Sequence, residues 1–360
     1  MPRIILHIDF DYFYAQVEEV IHPEYRGKPL VVCMYSGRSE TSGAVATCNY
    51  IARKYGVRAG IPIIRAKKLL EHIDSVFLAA NHQLYAEKSY HAMSILETYC
   101  DTFEAASIDE AFLDLSKQYT DLNYAKERAE EIKKHIFNEL HLTSSVGIGP
   151  NKLIAKMASD IEKPNGLTVI TQEMVHSFLA PLSVDKIPGI GPKTKELLNS
   201  QGIETVGDIE QADPTKIMEL FGKKSGTFIL HAAQGIDESP VEARREQKQM
   251  SRIMTLKRNS RDFDDFKLDV DVLITDIVHE LQDQQLLCES VGIIVIDESM
   301  QTISRSQVLS HPVNNIDEIR SVVYALYHAL IQDTSQEFRR IGVKAERLQN
   351  MVGQKKLGDF

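Results

Sequence analysis

The chain has 360 residues, 43% hydrophobic and 26% charged, a globular composition too long for one ordinary core, so about two to four modules are expected. Its formal charge of −10 excludes a uniformly basic nucleic-acid binder, and no apolar run approaches the ~20 residues of a membrane span. Cys33, Cys48, Cys100 and Cys288 are scattered, which excludes a zinc finger or disulfide framework, and acids at 9 and 11 exclude a secretory signal, so a reduced, cytoplasmic protein is expected.

In chain order, residues 1–10 read as a strand and 12–20 as a helix. GKPLVVCMYSG, residues 27–37, is a strand between turn residues; GAVATCNYIARKYGV runs from strand to helix and stops at Gly56. A helix follows Pro62, SVFLAA is a strand, and 83–99 has helical apolar spacing at Leu84, Met93, Ile95 and Leu96. TFEAASI and EAFLDL form a hairpin turning near Asp109; 121–140 is a charged helix, and TSSVGIG returns as a strand. This is a mixed α+β pattern around a small sheet. From residue 167 to 233 short helices alternate with Gly-rich turns, and 234–243 is a polar linker. Residues 244–347 alternate strands with two helices, near 265–284 and 315–332, before a loose tail.

Asp9 ends a strand that continues apolar, where an unpaired buried carboxylate is costly. Asp109 and Glu110 sit at the break of a second strand-like run. Three acids at strand ends can hold two Mg²⁺ ions, which in-line nucleotidyl transfer requires. An Asp-Glu pair alone reads equally as a solvated turn. Asp11 reads as the N-cap of the helix after it.

The net charge is distributed unevenly. Residues 244–261 carry Arg244, Arg245, Lys248, Arg252, Lys257, Arg258 and Arg261 against Glu246, and Arg339, Arg340, Lys344 and Arg347 cluster near the end. Such runs mark either a solvated face or a phosphate-binding one. KIPGIGPKTKELLNSQGIETVGDI, residues 186–209, reads as helix-hairpin-helix: a tight Gly189-Ile190-Gly191 turn, Pro192 at the first helical position, and Lys193 beside it. Backbone N–H groups at such a helix start bind a DNA phosphate without reading sequence. LFGKKSG, residues 220–226, reads as a partial second copy. GIGPNK at 147–152 is no nucleotide loop, lacking both glycine-rich patterns.

HIDFDYFYAQVEE, SGAVAT, NYIARKYGVRAGIP, ASIDEAFLDL and EKPNG occur in order, and together they resemble the Y-family of translesion DNA polymerases, in its archaeal DinB-type form. The resemblance spans the chain and is sharpest over the first 240 residues. It implies a right-hand α+β multidomain fold: palm at 1–19 and 78–166, fingers at 20–77, helical thumb at 167–233, linker at 234–243. A C-terminal α/β little finger at 244–347 and a tail at 348–360 complete it.

The resemblance further implies error-prone, template-directed synthesis from dNTPs on primer–template DNA, by a monomer with two Mg²⁺ per active site and no membrane association. It assigns Asp9, Asp109 and Glu110 as catalytic carboxylates and the Phe10 carbonyl as a further metal ligand. Tyr50, Arg53, Lys163 and Thr47 are then triphosphate contacts, and Tyr14 is a steric gate against ribonucleotides. Taken singly, each of these reads as an ordinary surface residue, and Tyr14 as a core aromatic. Gly43, Ala44 and Ala46 would form a roomy roof over the nascent base pair. Gly189, Gly191, Lys193, Arg244, Arg252, Lys257, Arg258, Arg339 and Arg340 would contact DNA. Gln354, Leu357 and Phe360 resemble the peptide by which replication proteins dock on a sliding clamp. Two other classes remain at this point. A palm-type nucleotide cyclase lacks the duplex-binding module of 186–347, and a non-catalytic DNA-binding relative lacks a carboxylate.

Overall fold

A computed structural model describes residues 3–118, 122–242 and 247–351. The N-terminal half builds β1 (Ile5–Phe10), α1 (Phe13–Ile21), β2 (Leu30–Tyr35), β3 (Gly43–Cys48), α2 (Tyr50–Lys54), α3 (Ile63–Leu69), β4 (Val76–Ala79) and α4 (His82–Glu97). Next come β5 (Thr102–Ala105), β6 (Glu110–Asp114), α5 (Leu122–Leu140), β7 (Ser144–Gly149), α6 (Lys152–Ser159) and β8 (Leu167–Val169). The expected elements appear with ends moved by a few residues.

Five of these strands form one sheet in the order β5-β6-β1-β7-β8. Side chains alternate across its plane. Leu6, Ile8 and Phe10 of β1 point into the main core, under Ala125, Ala129, Ile132, Ile136 and Leu140, the apolar stripe of α5. His7 and Asp9 therefore face the other way, toward α6. A separate three-stranded sheet, β3-β2-β4, holds the segment expected as fingers.

The helical region holds α7 (Val175–Leu179), α8 (Pro192–Ser200), α9 (Val206–Gln211) and α10 (Pro214–Ala233). The hairpin forms where the sequence places it. Gly191 caps α8 with Pro192 in the first turn, and Gly189 has φ +100°, open to glycine at little cost. Thr205 and Asp208 make a capping box at α9. LFGKKSG lies inside α10, which breaks at Gly222 with φ +73°. The linker is anchored rather than free at its start. Arg3 donates to the carbonyls of Asp237 (3.3 Å) and Ser239 (2.8 Å), and Val241 is buried with Ile5, Phe112 and Ala155.

The C-terminal region builds β9 (Gln249–Ser260), α11 (Phe263–Asp283), β10 (Leu286–Asp297), β11 (Thr302–Val313), α12 (Ile316–Asp333) and β12 (Phe338–Asn350), with sheet order β11-β10-β12-β9. Both helices cover one face around Phe266, Tyr327 and Phe338. The other face is open. By Cα packing the chain divides into two compact units. One is Met1–Cys33, Val45–Ile61 and Arg65–Arg244; the other is Met34–Ala44, Pro62–Ile64 and Arg245–Phe360. The tip of the expected fingers, 34–44, thus packs with the C-terminal unit.

Candidate active site

Antiparallel pairing of β1 with β6 sets Asp9 directly opposite Glu110. The turn between β5 and β6 brings Asp109 to the same end, and the Phe10 N–H donates to the Asp109 carbonyl at 2.9 Å. The Ser107 hydroxyl donates to the Asp109 carboxylate at 2.6 Å. The three predicted acids therefore meet at one sheet end.

Two lysines sit among them. Lys163 Nζ lies 2.8 Å from Asp9 and 2.7 Å from Asp160. Lys156 Nζ, from α6, lies 2.5 Å from Glu110. Burial pushes the Asp9 carboxyl up to about 7, against the opposing pull of Lys163. The His7 ring faces Glu110 too distantly to donate to it, and it is the Lys156 ammonium in direct contact that holds Glu110 well below the ordinary carboxylate range. Asp9 and Asp160 raise Lys163, against the desolvation that lowers it.

His7 packs against Phe112 with ring centroids 4.6 Å apart, and its Nδ1 is 2.8 Å from the Ser159 hydroxyl. Its buried Nε2 has no hydrogen-bond partner and lies 3.9 Å from Glu110, beyond hydrogen-bond reach. Burial lowers the His7 pKa, which favours the neutral ring.

Asp11 is not an N-cap. Tyr12 occupies that position with φ +39° and no side-chain cap, and Asp11 is fully buried beneath the sheet end. Its carboxylate accepts from Thr143 Oγ1 (2.8 Å), Ser145 Oγ (2.7 Å) and the Asn165 N–H (2.9 Å). Those bonds tie β1 to β7 and to the loop that carries Lys163.

Tyr14 stacks on Tyr85 with centroids 4.2 Å apart, and Tyr85 is held in turn by Glu18 at 2.6 Å. The gate candidate therefore rests on a fixed aromatic base. Arg53 lies over the Tyr50 ring at 4.6 Å and donates to the Cys48 carbonyl at 3.2 Å, so one helical turn presents both. Thr47, Ala46, Ala44 and Gly43 all lie on β3.

In the C-terminal sheet the predicted cations separate by strand parity. Met250, Met254 and Leu256 of β9 face the helices, so Arg252 and Arg258 lie on that side. Arg252 pairs with Glu280 and Arg258 with Asp265 at 2.8 Å, both acids on α11. Lys257 points to the open face. On β12, Ile341, Val343 and Ala345 are buried under the helices, which sends Arg340 and Lys344 to the open face. Among the described residues, Lys257, Arg339 and Arg340 form no ion pair. Arg244, Gln354, Leu357 and Phe360 lie outside the described residues.

The donor set fits a hard divalent cation: it is all oxygen, and three carboxylates converge at one sheet end. Among the described residues no three His, Cys, Asp or Glu side chains are already drawn into a metal cage. The lysines hold two of the acids instead. The sequence reading missed His7, Lys156 and the burial of Asp11. His7 was legible as the residue two before Asp9 on the same strand face.

A family model described as the impB/mucB/samB family matches residues 8–160, and one for the C-terminal domain of that family matches 247–357. A model described as the DNA polymerase-iota thumb domain matches 185–237. The chain is 41% identical to the DNA polymerase IV of Nitrosopumilus maritimus over 361 residues, covering 99% of each. It is also 41% identical to that of Methanosarcina acetivorans over 367 residues, covering 100% of each. Among solved structures, the "Y-family DNA polymerase chimera Dbh-Dpo4(243-245)-Dbh" superposes with TM-score 0.90 at 37% identity, covering 96% of this chain and 99% of that one. The "Insertion ternary complex of Dbh DNA polymerase" superposes with TM-score 0.70 at 37% identity, with the same coverage.

Proposed function

The chain belongs to the impB/mucB/samB family, the Y-family of DNA polymerases, and we propose from this how its own residues carry out synthesis. It is a template-directed, error-prone DNA polymerase of the DinB type that extends primers with dNTPs in translesion synthesis. The observation that carries the site assignment is the register of Asp9 against Glu110, with Asp109 at the same sheet end.

The enzyme depends on a divalent metal. We assign Mg²⁺, two ions per site, held by Asp9, Asp109, Glu110 and the Phe10 carbonyl, in keeping with the all-oxygen donors. When bound, the ions acidify the primer 3′-hydroxyl and neutralise the triphosphate and the leaving pyrophosphate. Asp11 fixes the loop that carries Lys163, so that this ammonium faces the acids. Lys163, Thr47, Tyr50 and Arg53 bind the triphosphate. Packing on Tyr50 fixes the plane of the Arg53 fork, which suits paired phosphate oxygens. Tyr14, backed by Tyr85, fills the space a 2′-hydroxyl would need. Gly43, Ala44 and Ala46 roof the nascent pair with small side chains.

The duplex is gripped without base readout by the α8 start at Gly189, Gly191 and Lys193, and by the C-terminal sheet through Lys257, Arg339 and Arg340. Arg252 and Arg258 contribute less, being neutralised by α11. This division bears on the charge problem: Arg252 and Arg258 are paired with acids of α11, while Lys257 and Arg340 lie on the open face without an ion pair among the described residues. The tail peptide Gln354, Leu357 and Phe360 docks on the sliding clamp, a reading supported by its spacing alone. A single chain carrying both catalytic and DNA-gripping elements supports a monomer, and four free cysteines without a disulfide framework support the reduced cytoplasm. No helix among the described residues is long and apolar enough to cross a membrane. Primer extension on an undamaged template with and without Mg²⁺ tests the whole reading. A cyclase or an inert relative would leave the primer unextended.

A further inference from the structure

The loop between β2 and β3 carries a cation, Arg38, that forms no ion pair among the described residues. Arg38 Nε donates to the Leu256 carbonyl at 2.5 Å, and its Nη2 to Asn259 Oδ1 at 2.7 Å and the Arg339 carbonyl at 3.4 Å. The first two acceptors are on β9 and the third on β12. All three are uncharged, and among the described residues Arg38 has no carboxylate partner. Burial among these groups and the nearby Arg339 lower the guanidinium pKa. A planar fork that bridges two strands fixes position in a way a single ammonium cannot.

The loop behind Arg38 is itself stiff. Ser36 N–H donates to the Ser42 carbonyl at 2.9 Å, and Ser36 Oγ to Ser42 Oγ at 2.7 Å. Ser39 N–H donates to Ser42 Oγ at 2.9 Å, which closes the turn. Gly43 follows at φ +136°, where an added Cβ would lie 2.1 Å from the Met34 carbonyl. The path from Arg38 to Gly43 and Ala44 is therefore short, braced and intolerant of change. These residues share one compact unit with the C-terminal sheet.

We propose that Arg38 is a positioning residue for base-pair selection: it registers the loop leading to Gly43 and Ala44 on the edge of the β9–β12 sheet. The sheet that grips duplex DNA thereby sets the placement of the first roof residues. Arg38 touches no reacting atom. It acts through the braced turn, and the inference rests on the roof assignment of Gly43 and Ala44.

The test compares wild type with Arg38→Ala, Arg38→Lys, Asn259→Ala and the Arg38→Ala/Asn259→Ala pair, after melting curves confirm folding. Misinsertion and single-base slippage are measured beside correct insertion on the same undamaged template. Arg38→Ala should raise the error frequency relative to correct insertion by about tenfold, the effect of losing a charge-assisted bond. Arg38→Lys should rescue part of it. The double variant should match Arg38→Ala, because both changes break the same contact. Ala44→Val serves as the roof control. If Ala44→Val leaves the error spectrum unaltered, the roof assignment fails. If it alters the spectrum while Arg38→Ala does not, the registration idea fails. A fall of about one unit in the salt slope of DNA binding in Arg38→Ala, with an unaltered error spectrum, would make Arg38 a phosphate contact and also overturn it.

Discussion

Asp9 and Glu110 stand directly opposite each other on neighbouring antiparallel strands, like charges in a cross-strand pair that ordinarily destabilises a sheet. The fold tolerates the pair because each acid has its own lysine. The pair thus depends on positive charge brought to this end of the sheet.

Replacing Asp109 or Glu110 with Ala should therefore cut nucleotide incorporation by orders of magnitude and leave primer–template affinity nearly unchanged, since each change removes a proposed metal ligand and no DNA contact. Single-turnover incorporation and gel-shift titration check the two halves. Extension near the wild-type rate by both variants would refute the assignment.

Tyr14→Ala should admit ribonucleotides. The stacked Tyr85 ring keeps Tyr14 in place, so its removal opens a defined space rather than a collapsed one. The ratio of ribonucleotide to deoxynucleotide kcat/KM should rise by orders of magnitude, while deoxynucleotide use changes much less. Stability should fall by about 1 kcal/mol from the lost aromatic pair.

Strand parity makes the third prediction selective. Lys257→Ala and Arg340→Ala should each flatten the salt dependence of DNA binding by about one unit. Arg252→Ala and Arg258→Ala should leave the slope nearly unaltered, because their charges are spent on Glu280 and Asp265. Equal slopes for all four variants would place the grip elsewhere.

Removing residues 354–360 should leave distributive synthesis intact and abolish stimulation by the clamp, because tethering raises the effective concentration at the primer end. Identical stimulation of truncated and full-length enzyme would dismiss the tail peptide.

Local pattern made the palm strands, the α5 helix and the hairpin at Gly189 readable, since each depends on a period or a turn residue. Asp11 was misread because its partners, Thr143, Ser145 and Asn165, lie more than 130 residues away and leave no local trace. The start of α1 also shifted by one residue, giving the cap position to Tyr12. The split of Arg252 and Arg258 from Lys257 was visible in principle: Met250, Met254 and Leu256 share their parity. A count of charges along the run hid it. Lys156 was silent, because α6 reaches Glu110 only after the sheet has formed.

The lysines at the carboxylates have a thermodynamic consequence. At the proposed site a divalent ion would not enter a bare acid pocket; it would trade places with ammonium groups already seated there, and its apparent affinity would be reduced by the cost of unseating them. Stripping metal with a chelator should shift the melting temperature little while silencing synthesis completely, so that the idle enzyme waits folded, its acids kept apart by its own side chains.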